Sequence, residues 1–461
     1  VPGIVRYGTY VPYFRLTRAA IGAGKGERAI ASFDEDAVSL AVEAGRDAVR
    51  GGAGVDTVLF ATTSPPYAEK LNAATVQAAL DLPEDVTSVE LGGSTRMGLA
   101  ALLLGIDLAA AGRRALVCAG DVVVGAPGGS RESQGGDAGV AFVTGGDAES
   151  VARLVGRASA TLEILDVWRL PDDRFARSWE ERFTAESMAP TIIDTAKRAL
   201  AAAGVDGAQL ATVVLDGNNP RAMAGLPKAL GLKPEQLADP LAASVGRAGV
   251  AHAGLLLARA LDKASPGDRI LVVSAADGVD ALVFEVTPAI RDMPPVRPVD
   301  RWIASKRNDL PYNTYLKWRG ILPFEAPRRP DPERPSAPPM RRHERWKLAF
   351  VGSRCTVCQA GHLPPQRVCV KCGGTDTMRD ERFADTSCQV ATYTLDHLAY
   401  SLQPPVVAAF VDYEGGGRFS CELTDVDPKQ VAIGNHLEMT FRRLFTAQGV
   451  HNYFWKARPG R

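Results

Sequence analysis

The stretch AGVDTVLFATT at 53–63 returns as AGVDGAQLATVVLDG at 203–217, and this recurrence decides how the chain is read. Each copy carries a short apolar run, 57–61 and 211–215, with the length and character of a strand buried on both faces. Two more landmarks keep the same order. RRALVCAGD at 113–121 parallels DRILVVSAAD at 268–277, and GGDAGVAFVTG at 135–145 parallels ADGVDALVFEV at 276–286. Between the runs lie segments with apolar residues at helical spacing, at 37–49, 73–82 and 98–111, then at 191–203, 223–230 and 251–261. Buried strands alternating with helices predict a largely parallel α/β sheet covered on both faces. A spacing of about 150 residues is far beyond the roughly 20–50 of solenoid repeats. It predicts two similar halves sharing one core over 1–288. The stretch 146–188 matches neither half and reads as an insertion, a cap or a dimer element.

The rest of the chain is organised differently. At 461 residues it exceeds one domain of roughly 100–200 residues. Residues 289–345 hold Pro294, Pro295, Pro298, Pro327, Pro330, Pro332, Pro335, Pro338 and Pro339. Proline fixes φ and removes a donor, so a connection with little helix or ladder is expected. Its Trp302, Tyr312, Tyr315, Leu316 and Trp318 predict that it lies against a surface. From 386 to 461 five β-type runs follow one another, as in a small OB-type barrel.

Fifty-three basic side chains balance 53 acidic ones, which argues against a nucleic-acid partner. No apolar run is long enough to cross a membrane, and the opening VPGIVR lacks the layout of a signal peptide. A cytosolic setting is expected.

Cys355, Cys358, Cys369 and Cys372 form two C-x-x-C knuckles. Each places two thiolates on one side of a tight turn, and facing knuckles supply the tetrahedral set that zinc prefers. A redox pair is the rival reading. Four thiolates leave no open position, so a structural zinc ribbon over 346–385 is predicted. His362 reads as a ribbon surface residue. Cys388 and Cys421 fall in barrel strands, and Cys118 in a core strand, as inert thiols.

The loops GGDAGVAFVTG and AADGVDALVFEV, the opening VRYGTYVPYFRL and the stretch SPPYAEK at 64–70 resemble the thiolase superfamily. Within it the resemblance is to HMG-CoA synthases of the archaeal type. RCTVCQAGHLPPQRVCVKCGG followed by the barrel is similar to zinc-ribbon/OB-fold proteins that accompany thiolase-like enzymes acting on acyl-CoA. The resemblance implies a duplicated five-layered α/β/α/β/α domain, a coenzyme A thioester substrate and a homodimer. It also implies a nucleophilic cysteine where a strand meets a buried helix. That junction here reads Val89-Glu90-Leu91-Gly92-Gly93-Ser94-Thr95-Arg96-Met97-Gly98, without cysteine. Thr63 stands at the family's glutamate position and Asp216 at its histidine position.

The remaining candidates are few. Gly92, Gly93 and Ser94 offer amides and a hydroxyl for an oxyanion, or Ser94 simply caps the helix. Arg96 binds a carboxylate or diphosphate, or is a solvated or dimer-contact residue. Asp216, followed by Asn218, closes a strand at the end where α/β sheets place ligands, or is a turn residue. His252, alone among the first 290 residues in being a histidine, opens an apolar helix and is a proton carrier or a packed residue. Arg247 on the same loop is a second candidate. Without a cysteine, the expected chemistry is aldol or retro-aldol cleavage of a β-hydroxyacyl-CoA, with His252 or Asp216 as base. Steroid side-chain aldolases among thiolase-like proteins with OB partners offer the analogy. An atypical HMG-CoA synthase or acyltransferase using Ser94, and a non-catalytic acyl-CoA-binding scaffold, are the alternatives.

Overall fold

The apolar runs read as buried strands in the first 288 residues fold as strands of one nine-stranded sheet. In this computed structural model, which describes residues 1–325 and 332–461, the strands of the first half are β1 (Gly3–Tyr10), β2 (Thr57–Ala61), β3 (Thr87–Leu91), β4 (Ala115–Asp121) and β5 (Ala138–Gly145). Those of the second half are β6 (Ala152–Thr161), β7 (Thr212–Gly217), β8 (Arg269–Ala275) and β9 (Gly278–Val286). The spatial order is β7-β8-β9-β6-β1-β5-β4-β2-β3. Read outward from the middle, the halves run 1-5-4-2-3 and 1-5-4-2, which is the duplication seen in the sequence. The place of a fifth strand in the second half is marked only by a parallel bridge between Val213 and Leu237. The half-sheets join through two residue pairs, Gly3 with Arg153 and Ile4 with Ala152.

β6 corrects one expectation. The stretch 146–188 is not wholly an insertion, because 152–161 is the first strand of the second half. It reads poorly in sequence because Arg153 and Arg157 interrupt its apolar pattern. Only a short ribbon, Val167–Trp168 against Arg177–Ser178, is added to the repeat.

Four helices complete the layers. Helix α1 (Ala37–Val49) starts from an Asp36–Ser39 capping box and packs on β1, β5 and β4. Helix α3 (Glu181–Ala203) covers β6 and β9, and its Met188, Ile192, Ala196 and Ala199 join the core of Val279, Ala281 and Val283. It starts ten residues before the predicted 191 and runs through Pro190. The inner layer is α2 (Met97–Ala110) and α4 (His252–Leu261), which touch each other. Gly120 and Gly139 meet α1 on one face of the first half-sheet, while Val117 and Thr144 meet Gly105 of α2 on the other. This is the five-layered α/β/α/β/α arrangement.

The chain divides into two compact units. One comprises Val1–Ala31, Asp36–Ala74 and Asp85–Pro311, the other Ser32–Glu35, Thr75–Glu84 and Tyr312–Arg461. Pro327 and Pro330 lie outside the described residues. The rest of 289–345 holds more helix than its prolines predict: short helices occupy Val299–Ala304, Tyr312–Trp318 and Ala337–Arg342. Pro298 and Pro338 fall at helix starts, where the missing N–H costs nothing. Trp302 and Tyr315 are fully buried, as expected of a segment lying on a surface.

In the second unit, Val351–Cys355, Gly361–His362 and Met378–Arg382 form a three-stranded ribbon. The five predicted β runs close into a barrel of Cys388–Asp396, Val406–Tyr413, Arg418–Leu423, His436–Ala447 and Val450–Pro459.

Candidate active site

The carboxyl ends of β2, β4 and β7 meet the turn before α4. Asp121, the last residue of β4, is fully buried. Its Oδ1 accepts from the Thr62 hydroxyl (3.0 Å), the Thr63 N–H (2.8 Å) and the Ser64 hydroxyl (2.9 Å). Its Oδ2 accepts from the Thr63 hydroxyl (2.8 Å) and the Val250 N–H (2.9 Å). One carboxylate thus ties the turn after β2 to the turn that carries Arg247 and His252. Gly249 permits this: its φ is +53°, and a Cβ there would lie 2.1 Å from Asp121 Oδ2.

β7 delivers Asp216 beside His252 and Arg247. Burial pushes the Asp216 carboxyl above its usual 3.8, against the pull of His252, Arg247 and the N–H groups of Gly217 and Ala253. His252 is 3% exposed. Burial lowers its pKa from 6.5, Asp216 opposes that shift and Arg247 reinforces it. Its Nδ1 has no hydrogen-bond partner among the described residues. Arg247 donates to the Asn218 carbonyl (3.1 Å), and the Thr95 hydroxyl donates to Asn218 Oδ1 (3.0 Å). Asn218 therefore links the start of α2 to the Arg247 loop.

Thr95, Asn218 and Arg247 line a cavity of about 270 Å³, together with Arg131, Asp166 and Glu181. Asp216 and His252 are not on its walls and couple to it through Arg247.

The other candidates lie elsewhere. Gly92 and Gly93 occupy an exposed turn, Gly93 at φ +91°. Ser94 is part-exposed, its hydroxyl 3.4 Å from the Arg96 N–H. It does not cap α2, whose capping position belongs to Arg96. None of the three lines the cavity. Arg96 is buried rather than solvated, and donates to both carboxylate oxygens of Asp280 (2.6 and 2.9 Å). Its guanidinium is spent on holding α2 to β9. The Thr63 hydroxyl is committed to Asp121.

Sequence reasoning missed Asp121, Thr95, Arg131 and Asp166. Asp121 was findable, since an acid closing a buried strand is the feature that marked Asp216. Arg131 sits in a five-residue helix, Ser130–Gln134, and Asp166 on a loop, neither with a pattern to betray it. Burial pushes the Cys118 thiol up to about 12, in keeping with an inert core residue.

In the second unit the sulfurs of Cys355, Cys358, Cys369 and Cys372 lie within 4.8 Å of one another, with Cys355–Cys372 at 3.7 Å and Cys358–Cys369 at 3.4 Å. A tetrahedron with Zn–S near 2.3 Å has S–S edges of about 3.8 Å, so the donor set fits a zinc ribbon. His362 is buried, not at the surface, because its Nε2 accepts the Val370 N–H (3.2 Å) and braces the second knuckle.

The duplicated sheet, its two inner helices and a site at the strand ends define a thiolase-fold protein. The HMG-CoA synthase of Methanopyrus kandleri is 30% identical over 346 residues, 70% of this chain and 98% of that protein. That of Pyrococcus furiosus is 30% identical over 338 residues, 69% and 95%. The chain belongs to the hydroxymethylglutaryl-CoA synthase family, in its archaeal type. A family described as "ChsH2, C-terminal OB-fold domain" matches residues 385–442. The fold is shared with the structure titled "MvaS in complex with 3-hydroxy-3-methylglutaryl coenzyme A" at TM-score 0.60 and 18% identity, covering 72% of this chain and 94% of that one. It is shared also with FabH from Pseudomonas aeruginosa at TM-score 0.56 and 22% identity, covering 62% and 98%.

Proposed function

We propose that the first unit makes carbon–carbon bonds on an acyl-CoA thioester, as a condensing enzyme of the HMG-CoA synthase type. The relatives favour this over the aldolase reading. The observation that carries the chemistry is the grouping of Asp216, His252 and Arg247 at the strand ends, where Arg247 lines the cavity with Asn218 and Thr95 while Asp216 and His252 lie behind it. In the condensing direction an acyl-CoA α-carbon loses a proton, the enolate carbon adds to the carbonyl carbon of a ketone or aldehyde, and the resulting alkoxide takes up a proton. Asp216 and His252 are the proton carriers, since burial keeps His252 neutral near pH 7 and raises Asp216. Arg247 offsets charge on the oxygen.

The acylation step of such a synthase needs a nucleophile. The 89–98 junction has no thiol. This supports carbon–carbon chemistry without an acyl-enzyme. It also keeps a second reading, in which the same residues cleave a β-hydroxyacyl-CoA: a base takes the hydroxyl proton, the Cα–Cβ bond breaks, and the enolate is reprotonated to a shorter acyl-CoA.

The four thiolates suit zinc, which would supply a cross-link for the ribbon and, being fully ligated, no open position. Thiols kept reduced for that purpose accord with the cytosol. The open edge of β3, with Val89 39% exposed, suits pairing with a second copy.

The test is to incubate the full chain with an acyl-CoA together with a ketone or aldehyde acceptor (a β-ketoacyl-CoA among them), and separately with β-hydroxyacyl-CoA thioesters, and to follow products and intact protein mass by mass spectrometry. A lengthened acyl-CoA with unmodified protein is expected. A shortened acyl-CoA with a released aldehyde or ketone would establish the cleavage reading. A stable acyl group on Ser94 would restore a covalent synthase. Binding without turnover would leave an acyl-CoA scaffold.

A further inference from the structure

Among the described residues that line the cavity, Arg131 is a guanidinium with no ion pair and no side-chain hydrogen bond. It stands part-buried in the short helix Ser130–Gln134. Burial pulls its pKa below the usual 12.5, the charge of Asp121 opposes that shift, and Arg169 and Arg28 add to it. Asp121 is no counter-ion for it, because five donors from the turns after β2 and before α4 already occupy both oxygens of that carboxylate. A cation drawn out of water without a partner is costly until something anionic joins it.

The rest of the wall does not neutralise it. Arg177 and Arg247 line the same cavity, Arg177 3.0 Å from Asp173 and Arg247 bound to the Asn218 carbonyl. Of the two acids on the wall, Glu181 is 59% exposed and lies 3.8 Å from Arg221, while burial favours the neutral form of Asp166. Three guanidiniums against one solvated carboxylate make a cavity that attracts an anion. Place decides which anion. Asp121, whose charge Arg131 feels, also holds Val250, two residues from His252. Arg131 therefore stands beside the reacting groups, whereas the phosphates of coenzyme A lie a pantetheine arm away from the thioester carbon.

We infer that Arg131 is a specificity-determining residue that binds a carboxylate on the acceptor, so that the second substrate is an oxo acid. The inference rests on the condensing reading above and names its acceptor class. Without an acyl-enzyme, one partner is held by its coenzyme A and the other must be held by its own groups. A carboxylate suits that task, since it matches the two-pronged fork of a guanidinium. The step balances: the acyl-CoA α-carbon gives up a proton, its enolate carbon bonds to the ketone carbon of the oxo acid, and the alkoxide takes up a proton. The thioester bond stays intact, and the product is a hydroxy acid that carries both the carboxylate and the coenzyme A.

The experiment is ligand-observed NMR titration of the full chain with 2-oxobutyrate and 4-oxopentanoate, each beside its methyl ester, which keeps the ketone and loses the charge. Acetyl-CoA is titrated separately by calorimetry. The wild type is expected to bind at least one acid about ten- to a hundredfold more tightly than its ester, the range for hydrogen bonds to a charged group. Arg131→Ala should abolish that preference and leave acetyl-CoA binding unchanged. Arg131→Lys, which keeps the charge and loses the fork, should retain a preference of a few-fold, and it remains decisive where the alanine variant does not fold. Equal binding of acids and esters by the wild type, or an undiminished preference in Arg131→Ala, overturns the assignment while leaving the acyl-CoA reading intact. Weakened acetyl-CoA binding in Arg131→Ala with an unchanged acid preference gives the guanidinium to the coenzyme A phosphates and also overturns it. Failure of the wild type to bind acetyl-CoA overturns the condensing reading and this one with it.

Discussion

His252 and Asp216 illustrate how a residue acquires chemistry from its surroundings. In water an imidazole and a carboxyl titrate near 6.5 and 3.8. Here burial moves both toward neutrality, the histidine downward and the aspartate upward. If they carry the proton, activity needs His252 unprotonated and Asp216 ionised or exchanging. Since the histidine is shifted down, it charges only below 6.5, and kcat/KM should fall on the acid side with a midpoint below that value. Asp216→Asn should lower turnover by about 10²–10⁴-fold with the thioester still bound. A pH–rate profile whose acid limb centres above 6.5 would rule out a buried neutral histidine in this role. Position in sequence singled out these two residues. Their shifts were not legible, because no strand pattern records what will lie over a side chain after folding.

Among the elements, α2 comes close to the turn before α4. A Cβ on Gly98 would lie 1.9 Å from the Val250 carbonyl oxygen. In an isolated helix Gly→Ala stabilises by about 1 kcal/mol. Here overlap with backbone opposes that gain, and overpacking costs roughly 1–3 kcal/mol or more. Gly98→Ala is therefore expected to destabilise the first unit in urea denaturation and to lower turnover. The second effect follows because Val250, held by Asp121, sits two residues from His252. Helical periodicity placed both α2 and α4 to within a residue or two at each end. It could not show that they touch, since both are apolar around much of their surface. Nor could it show that Arg96 is spent on Asp280, because one turn of helix reads alike whether its arginine faces solvent or a buried acid 184 positions away.

At the scale of the whole molecule, the barrel is less self-contained than the boundary at 386 suggests. Ser32–Glu35 belongs to the second unit, and its acids enter a buried charge network. Arg442, fully buried, pairs with Glu35 (2.5 Å) and Asp425 (2.6 Å), and Lys456 pairs with Asp34 (3.0 Å). Burial would raise the Asp34 carboxyl, but Lys456, Arg442 and the Ser32 hydroxyl prevail and hold it at about 2. Since that value is depressed, its stabilisation is present above 3.8 and is lost as pH falls toward 2. Removing one side of a buried pair costs about 3–5 kcal/mol. A chain beginning at Tyr312 keeps the five strands and four cysteines but loses Asp34 and Glu35. Arg442 keeps Asp425 and Lys456 keeps Glu422 (2.8 Å), but each has lost a buried carboxylate, so this chain should unfold at lower temperature than the same chain carrying Arg442→Met and Lys456→Met. Equal melting temperatures in circular dichroism would show the network to be energetically idle.

By itself the sequence determined the duplicated strands, the inner helices, the cysteine knuckles, the barrel and the missing nucleophile, because apolar period and metal-ligand spacing are local properties that survive in one dimension. Tertiary structure alone decided that Asp121 binds the two halves of the site together, that Arg96 is unavailable, and that Asp216 and His252 lie buried side by side. Each of these depends on which residues from distant segments share a dielectric and a hydrogen bond, and proximity of that kind exists only once the chain has folded.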